Sequence, residues 1–322
     1  MNFREQAIKN IQEKTALVIS GGGILGISEC CSISRAEQYG FRLQNLNSIT
    51  GSSVGSIIAA GIALGASTDY MKDKMNNLNF NKLKSDDCFL VEGIRLLKKY
   101  GLHDTNELRS FLIEMFNELG YNENVTFKEL YDKNKVHLTV TYLSMNYGRT
   151  IYSDYLNEPD KKILESVIKS CSIPVFFEAY IEGRGNEKEV AVDGGVYDNM
   201  PMHVPRKQGV PPEKIIGLKF IKSDEVEQDI LDKSADEEKY LSSNIVKHLF
   251  NLVMILREQA LKVHVHKEDW KLSVKINTGN ISSTKFNLTD DEKLFLQKQG
   301  EKAVDDYIDE LASLIERGKF TL

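Results

Sequence analysis

The stretch Gly51-Ser52-Ser53-Val54-Gly55 places a serine at the turn between a predicted strand and a predicted helix. Residues 46–50 read as the strand, and residues 53–64 (SVGSIIAAGIAL) read as a helix rich in small side chains. G-x-S-x-G in that context is typical of a nucleophile elbow, in which a sharp turn exposes the serine hydroxyl. Gly51 and Gly55 leave room for the strand and the helix to approach closely. The pattern predicts an α/β fold and makes Ser53 the candidate nucleophile.

Strands and helices alternate along much of the chain, which favours a mostly parallel sheet covered by helices on both faces. We predict strands over residues 15–20, 136–143, 148–153, 189–192 and 214–221, and helices over residues 24–39, 105–119, 160–170, 241–263 and 290–317. The acidic, polar residues 223–238 are expected to form an exposed loop or a short helix. We expect one domain over residues 15–322, after an N-terminal extension of residues 1–14. Its motif-bearing core covers residues 15–222 and its C-terminal helical part covers residues 223–322.

The glycine run Gly21-Gly22-Gly23-Ile24-Leu25-Gly26 ends the first predicted strand and has two functional interpretations. It fits the GxGxxG pattern of a dinucleotide site, but such a site needs an acidic residue about 20 positions later, and residues 38–68 contain no Asp or Glu. The alternative is an oxyanion hole, because glycines let backbone amides approach a reacting carbonyl. A tight turn without chemistry is the third interpretation.

Charge and hydropathy limit the partners of the chain. The net charge of −6 argues against nucleic acid as the main partner. The first residues lack the apolar core of a secretory signal, and no apolar run reaches the roughly 18 residues of a spanning helix. We therefore expect a cytoplasmic protein, with a peripheral position on membranes as an alternative.

The pattern of cysteines and histidines predicts no metal site and no cofactor. The four cysteines form no CxxC pair, which favours buried free thiols. None of the six histidines has the sequence context of a catalytic base or of a zinc ligand set. A serine nucleophile nevertheless needs a base. Asp193-Gly194-Gly195, which ends another predicted strand, offers a carboxylate for this role, although an aspartate before two glycines can also be plain turn chemistry.

Three motifs occur in the order GGGxxG, G-x-S-x-G and DGG. Their combination resembles that of the patatin-like phospholipases. The stretches SCSIPVFF (residues 170–177) and VDGGVYDNMP (residues 192–201) are similar to the segments of that family before and around its catalytic aspartate. The resemblance extends from about residue 15 to the C-terminus. It implies a three-layer α/β/α sandwich with a mostly parallel central sheet.

The resemblance also implies a chemistry and assigns roles to residues. Members of the family are lipid acyl hydrolases with a Ser-Asp dyad, so Ser53 would attack an ester carbonyl and Asp193 would accept its proton. Amides of Gly22, Gly23 and Gly26 would hold the oxyanion. The substrate would be a phospholipid or another acyl lipid. The family often has Arg or Lys just before the last glycine of its first motif, where this chain has Leu25.

Two alternatives to the dyad enzyme remain open from the sequence: an esterase with a Ser-His-Asp triad, and a weakly active lipid-binding relative, which Leu25 would fit. For either lipid-directed function, we expect apolar residues near the site to dock on lipid. The candidates are residues 175–177 and the predicted helix over residues 245–256.

Overall fold

The first two predicted strands lie side by side at the centre of a sheet. The computed structural model describes residues 2–78, 89–183, 185, 188–221, 245–264, 267–283, 285 and 287–320. β1 (Ala16–Ile19) pairs in parallel with β2 (Ser48–Ser52). Both faces of β1 are buried, because Leu17 and Ile19 belong to one apolar cluster and Ala16 and Val18 to another. A short, continuous apolar strand is the sequence pattern that such burial requires.

Six further strands of the described residues join this sheet: β4 (His137–Ser144), β5 (Arg149–Ser153), β7 (Tyr180–Glu182), β8 (Glu189–Asp193), β9 (Ile215–Ile221) and β10 (Ser273–Asn277). The resulting eight-stranded sheet has the order β10-β9-β1-β2-β4-β8-β7, with β5 also paired to β4. The five strands from β10 to β4 run parallel, whereas β5 and β8 run antiparallel to β4. β3 (Gly101–His103) and β6 (Val175–Phe177) form a separate parallel pair.

Helices cover both faces of the sheet, which confirms the predicted three-layer α/β/α architecture. They are α1 (Phe3–Gln12), α2 (Gly26–Gln38), α3 (Val54–Ala63), α4 (Thr68–Asn77), α5 (Phe89–Lys99), α6 (Asn106–Glu118), α7 (Phe127–Asn134), α8 (Ile163–Cys171), α9 (His203–Lys207), α10 (Ile245–His264), α11 (Lys267–Lys271) and α12 (Asp290–Glu316). On one face α2, α3, α8 and α12 enclose the larger apolar cluster. On the other, Met200, Met202 and Leu272 pack on β1 and β9, beside α9 and α11. An ion pair between Arg206 and Asp269 joins these two short helices.

The strongly patterned elements lie where the sequence predicts them, within a few residues at each end. The strands predicted over residues 136–143 and 148–153 form an antiparallel hairpin, in which Tyr142 of β4 lies opposite Ile151 of β5. The exposed loop or short helix predicted over residues 223–238 lies outside the described residues. Residues 3–12, which precede the predicted domain, form α1, and its buried Ala7 and Ile11 contribute to the larger cluster, where α1 packs on α12. The division of the chain into an extension, a core and a helical part stays a prediction.

Two of the three residues expected to dock on lipid from the segment 175–177 are buried. Phe176 and Phe177 are only 9% and 4% exposed, and Phe176 packs edge-on against the ring of His103. The expectation that this segment meets a lipid surface is therefore wrong for both aromatic residues. Their apolar pattern serves the β3–β6 pair and the core beneath it. None of the described helices is both long enough and apolar enough to span a bilayer.

The contact between α12 and α2 predicts a position where a single methyl group destabilises the fold. A Cβ atom on Gly300 would lie 2.2 Å from the carbonyl oxygen of Ser28. Gly300→Ala should therefore separate the two helices and lower the free energy of unfolding by about 1–3 kcal/mol, as overpacking does. The matched control is Gly93→Ala in α5, where a Cβ atom meets nothing within 4 Å. It should leave stability unchanged or raise it by up to about 1 kcal/mol. Urea unfolding of both variants measures the difference, and equal stabilities would contradict this packing.

Candidate active site

Ser53 lies in a strained turn between β2 and α3. Its backbone has φ 52° and ψ −132°, a conformation that a non-glycine residue adopts only at a cost of about 1–3 kcal/mol. The flanking glycines make the turn sterically feasible. A Cβ atom on Gly51 would lie 2.4 Å from the carbonyl oxygen of Gly55, and one on Gly55 would lie 2.5 Å from that of Ile19. The amide of Ser53 donates to the hydroxyl of Ser170 at 2.8 Å, which further fixes the turn.

Asp193 reaches the same place from the opposite direction. β8 runs antiparallel to β4, and Asp193, its last residue, lies opposite Tyr142. The residue before Tyr142, Thr141, lies opposite Ser52 on the other side of β4. The end of β8 is therefore level with the elbow. The structure brings the two candidate residues together: the hydroxyl of Ser53 donates to Oδ2 of Asp193 at 2.5 Å.

The surroundings of Asp193 favour a carboxyl group that can exchange a proton near neutral pH. Burial raises its pKa to about 6, since the charged form loses its hydration. The positive charge of Arg257 and the hydrogen bonds from Ser53 and Gly195 act in the other direction and lower the pKa. The bond from the Gly195 amide to Oδ1, at 2.6 Å, leaves Oδ2 directed at the serine. A carboxylate in this position can accept the proton of a serine hydroxyl.

The glycine run forms the turn between β1 and α2 and lies against Ser53. A Cβ atom on Gly22 would lie 1.9 Å from the ring of Phe220, and one on Gly23, which has φ 55°, would lie 2.3 Å from the carbonyl of Ser283. Only glycine fits at either position. Within the described part of the chain, the amides of Gly22 and Gly23 donate to no protein acceptor. Two adjacent amides without a protein acceptor could donate to a substrate oxygen, as an oxyanion site requires.

Gly26, the third glycine expected to act in the oxyanion hole, differs from the other two. Its amide donates to the carbonyl of Gly23 and so closes the short 3-10 turn Gly23–Leu25. A Cβ atom at this position would lie 2.7 Å from Cγ1 of Val54. The structure therefore gives Gly26 a packing reason to be glycine, at the point where α2 meets α3.

Three residues that the sequence analysis did not select also shape the site. The hydroxyl of Ser170 accepts the Ser53 amide, as described above. Asn199 binds both polar groups of Gly21: its Oδ1 accepts from the amide at 3.0 Å, and its Nδ2 donates to the carbonyl at 2.9 Å. Arg257 reaches the same carbonyl from α10. Asn199 stands just after the DGG motif, and Arg257 follows the apolar residues 245–256, but neither position marks its role in the sequence.

The described partner of the Ser53 hydroxyl is a carboxylate, that of Asp193. The residues that the structure describes contain no group of three His, Cys, Asp or Glu side chains placed to hold a metal ion. His137, which pairs with Asp154 at 3.1 Å, begins β4 and so lies at the opposite edge of the sheet. Among the described side chains, Asp193 is the hydrogen-bond partner of the Ser53 hydroxyl. His266 and the side chain of His264 lie outside the described residues.

The chain is similar to known proteins in sequence. The sequence model of the patatin-like phospholipase family matches residues 17–206. R571 of Acanthamoeba polyphaga mimivirus, an uncharacterized protein, is 26% identical over 307 residues, 93% of each chain. The probable lipid hydrolase 463L of Invertebrate iridescent virus 6 is 26% identical over 198 residues, which cover 59% of this chain and 63% of that protein.

A solved structure shares the fold. VipD from Legionella pneumophila superposes with a TM-score of 0.61 at 17% identity, over 92% of this chain and 67% of that one. The matched family segment, residues 17–206, begins in β1 and contains the glycine run, Ser53 and Asp193. The chain belongs to the patatin-like phospholipase family.

Proposed function

We propose that this protein hydrolyses carboxylic esters of phospholipids, as a phospholipase A or lysophospholipase, with Ser53 as nucleophile and Asp193 as base. The single observation that carries the proposal is the 2.5 Å hydrogen bond between the two side chains in a buried site. Membership of the family and the likeness to a probable lipid hydrolase support the substrate class.

The reaction follows from the positions of these groups. Ser53 Oγ attacks the ester carbonyl carbon while its proton passes to Asp193 Oδ2. The amides of Gly22 and Gly23 donate to the oxyanion of the tetrahedral intermediate. When the intermediate collapses, the bond to the leaving alcohol breaks, and the alcohol takes the proton from Asp193. Water then attacks the acyl-serine, again losing its proton to Asp193, and the fatty acid leaves as Ser53 regains its hydrogen.

A lone aspartate can serve as the base here for two reasons. A pKa of about 6 lies closer to the working pH than that of an ordinary aspartate, so proton transfer from serine is less unfavourable. The oxyanion amides need no reorganisation when negative charge develops on the substrate oxygen. Their stabilisation of that charge removes much of the barrier. The directness of the Ser53–Asp193 contact favours the dyad over the Ser-His-Asp alternative.

Substitution of each member of the dyad tests the proposal. Ser53→Ala and Asp193→Asn should each lower turnover of a soluble ester by about three orders of magnitude or more, because each removes a reacting group. The double variant should be little worse than either single one, since the two act as a unit. Thermal melting should show that the variants remain folded.

His203→Gln is the control for a histidine-dependent mechanism. His203 lies 3.7 Å from Asp198 and packs edge-on against Tyr152, so it is close to a carboxylate as a triad histidine would be. Its replacement should leave most of the activity. A folded His203→Gln protein as inactive as Ser53→Ala would replace the dyad with a triad. A wild-type protein that binds phospholipid but hydrolyses neither soluble nor lipid esters would be the weakly active relative.

We also propose that one face of α10 meets the lipid surface. The exposed side chains of this helix include Ile245, Leu249, Leu252 and Leu256, which are 67%, 38%, 47% and 54% exposed. Their spacing of four, three and four residues places them in one stripe along the helix. The next residue, Arg257, donates to the Gly21 carbonyl, so the stripe ends one residue before the side chain that reaches the glycine run. A bilayer seated on this stripe would present its lipids to the enzyme where Ser53 lies.

Removing apolar side chains from the stripe should weaken binding to lipid vesicles. Each exposed leucine that enters the interface should contribute about tenfold in affinity, so Leu252→Ser with Leu256→Ser should bind phosphatidylcholine vesicles about a hundredfold more weakly. Hydrolysis of a soluble ester should change little. The matched control is Leu156→Ser, which is 66% exposed but lies beside Asp154 and His137 at the opposite edge of the sheet. Equal losses of vesicle binding in the two proteins would exclude α10 as the docking face.

A further inference from the structure

Arg257 joins the two loops that meet at the candidate dyad. One nitrogen of its guanidinium, Nη2, donates to the carbonyl of Gly21 at 2.5 Å and to Oδ1 of Asn199 at 3.1 Å. Gly21 belongs to the glycine run, and Asn199 belongs to the loop after Asp193. Gly21 also lies directly against the elbow, because a Cβ atom there would be 2.6 Å from Cβ of Ser53. A single side chain of α10 therefore contacts both the glycine run, at the residue that lies against Ser53, and the loop after Asp193.

The position of the Gly21 carbonyl decides where an oxyanion donor points. The carbonyl of Gly21 and the amide of Gly22 belong to one planar peptide unit, and in a trans peptide they point in opposite directions. Arg257 and Asn199 both bind this carbonyl, from Nη2 and Nδ2. Because these two donors hold the Gly21 carbonyl on one side of the peptide, the Gly22 amide points to the opposite side. A peptide flanked by glycines would otherwise rotate easily, since glycine tolerates most backbone conformations.

Arg257 is also a positive charge near a buried carboxylate. It is the cation, among the described side chains, whose charge lowers the pKa of Asp193 against the effect of burial. The other titratable groups around Asp193 have their own partners or are neutral. On α8, Cys171 is a buried thiol whose pKa is raised, and Lys169 pairs with Glu182 and Glu189. On β4, Tyr142 donates to Glu189, and in the loop after Asp193, Asp198 accepts from Tyr152.

We propose that Arg257 is a positioning residue for the hydrolysis: it fixes the Gly21–Gly22 peptide so that the Gly22 amide faces the oxyanion, and it places a positive charge beside Asp193. This inference rests on the proposed Ser53–Asp193 function. Position 25 contributes no cation to the site, because Leu25 is buried in the larger apolar cluster. The cation instead comes from α10, which follows the family-matched segment by almost forty residues.

The test compares Arg257→Gln, Arg257→Lys and the wild type on a soluble ester across a range of pH. In the wild type the acid limb of kcat/KM should lie near pH 6, where Asp193 loses its proton. Arg257→Gln removes a charge that lowers this pKa, so the acid limb should move to higher pH by about one unit. It also releases the Gly21 carbonyl, so kcat at the pH optimum should fall by about a hundredfold with KM nearly unchanged.

Arg257→Lys separates the effect of the charge on Asp193 from the effect of the bond to the Gly21 carbonyl. It also keeps the test decisive if the glutamine variant does not fold. Lysine keeps the charge but not the planar guanidinium geometry, so the acid limb should stay near pH 6 while kcat falls.

The matched control is Arg35→Gln, which removes another partly buried arginine, one bound to Asp305 and Tyr39 between α2 and α12. It should leave kcat, KM and the pH profile unchanged.

The possible failures are distinguishable. If the wild type shows no hydrolysis that depends on Ser53, the proposed function fails. If the wild type is active but both Arg257 variants keep its kcat and its acid limb, then Arg257 does not position the site and only this inference fails. Variants that melt at a lower temperature but keep the wild-type kinetics would assign Arg257 a purely structural role, which also overturns it.

Discussion

The close approach of α3 to the end of β1 is the constraint on which the rest of the site depends. Without side chains at Gly51 and Gly55, the backbone of α3 comes within contact distance of Ile19 and Ser20. This contact forces Ser53 into a positive φ and holds it there, together with the hydrogen bond from its amide to Ser170. The strain is local, and the buried strands on either side and the apolar helix α3 provide the stabilisation that offsets it. A larger residue at either glycine would prevent this close packing and would abolish the backbone conformation of Ser53.

Around this fixed serine, the fold gathers groups that are far apart in the chain. The glycine run enters from β1, Asp193 arrives along an antiparallel strand, and Arg257 reaches in from α10. Asn199 links the first two, since it binds both the amide and the carbonyl of Gly21. Asp193, Asn199 and Arg257 are each held by more than one contact, so the proposed base and the proposed oxyanion donors are oriented before any substrate binds. Such preorganisation is what allows an electrostatic site to lower a barrier without moving.

The parts of the fold that follow local rules could be predicted from the sequence. The buried strand 16–19, the small-residue helix α3 and the hairpin of β4 and β5 all have periodicity or turn signals that depend only on nearby residues. The glycines of the elbow and of the first turn were recognisable because their spacing reflects a steric need. The family resemblance then joined Ser53 to Asp193, whose pairing at 2.5 Å no local rule could give.

What the sequence could not provide depends on distant contacts. The antiparallel direction of β8 depends on its pairing with β4, and no residue of β8 encodes that direction by itself. Gly26 satisfies the same motif as Gly22 and Gly23, yet its amide is used in the 3-10 turn, which only the backbone path decides. The role of Arg257 could not be predicted, because an arginine at the end of an apolar helical segment usually lies in solvent. The burial of Phe176 and Phe177 likewise depends on the β3–β6 pair, whose two strands are distant in sequence.

Covalent labelling tests most directly whether Ser53 is an activated nucleophile. An ordinary serine does not react with a fluorophosphonate, because the reaction needs a base for the hydroxyl and donors for the oxyanion. The purified protein would be treated with a fluorophosphonate probe at neutral pH and digested, and the modified residue located by mass spectrometry. We expect a single adduct, on Ser53. An adduct on another residue, or no adduct in a folded protein that still hydrolyses esters, would contradict the assignment of Ser53 as the nucleophile.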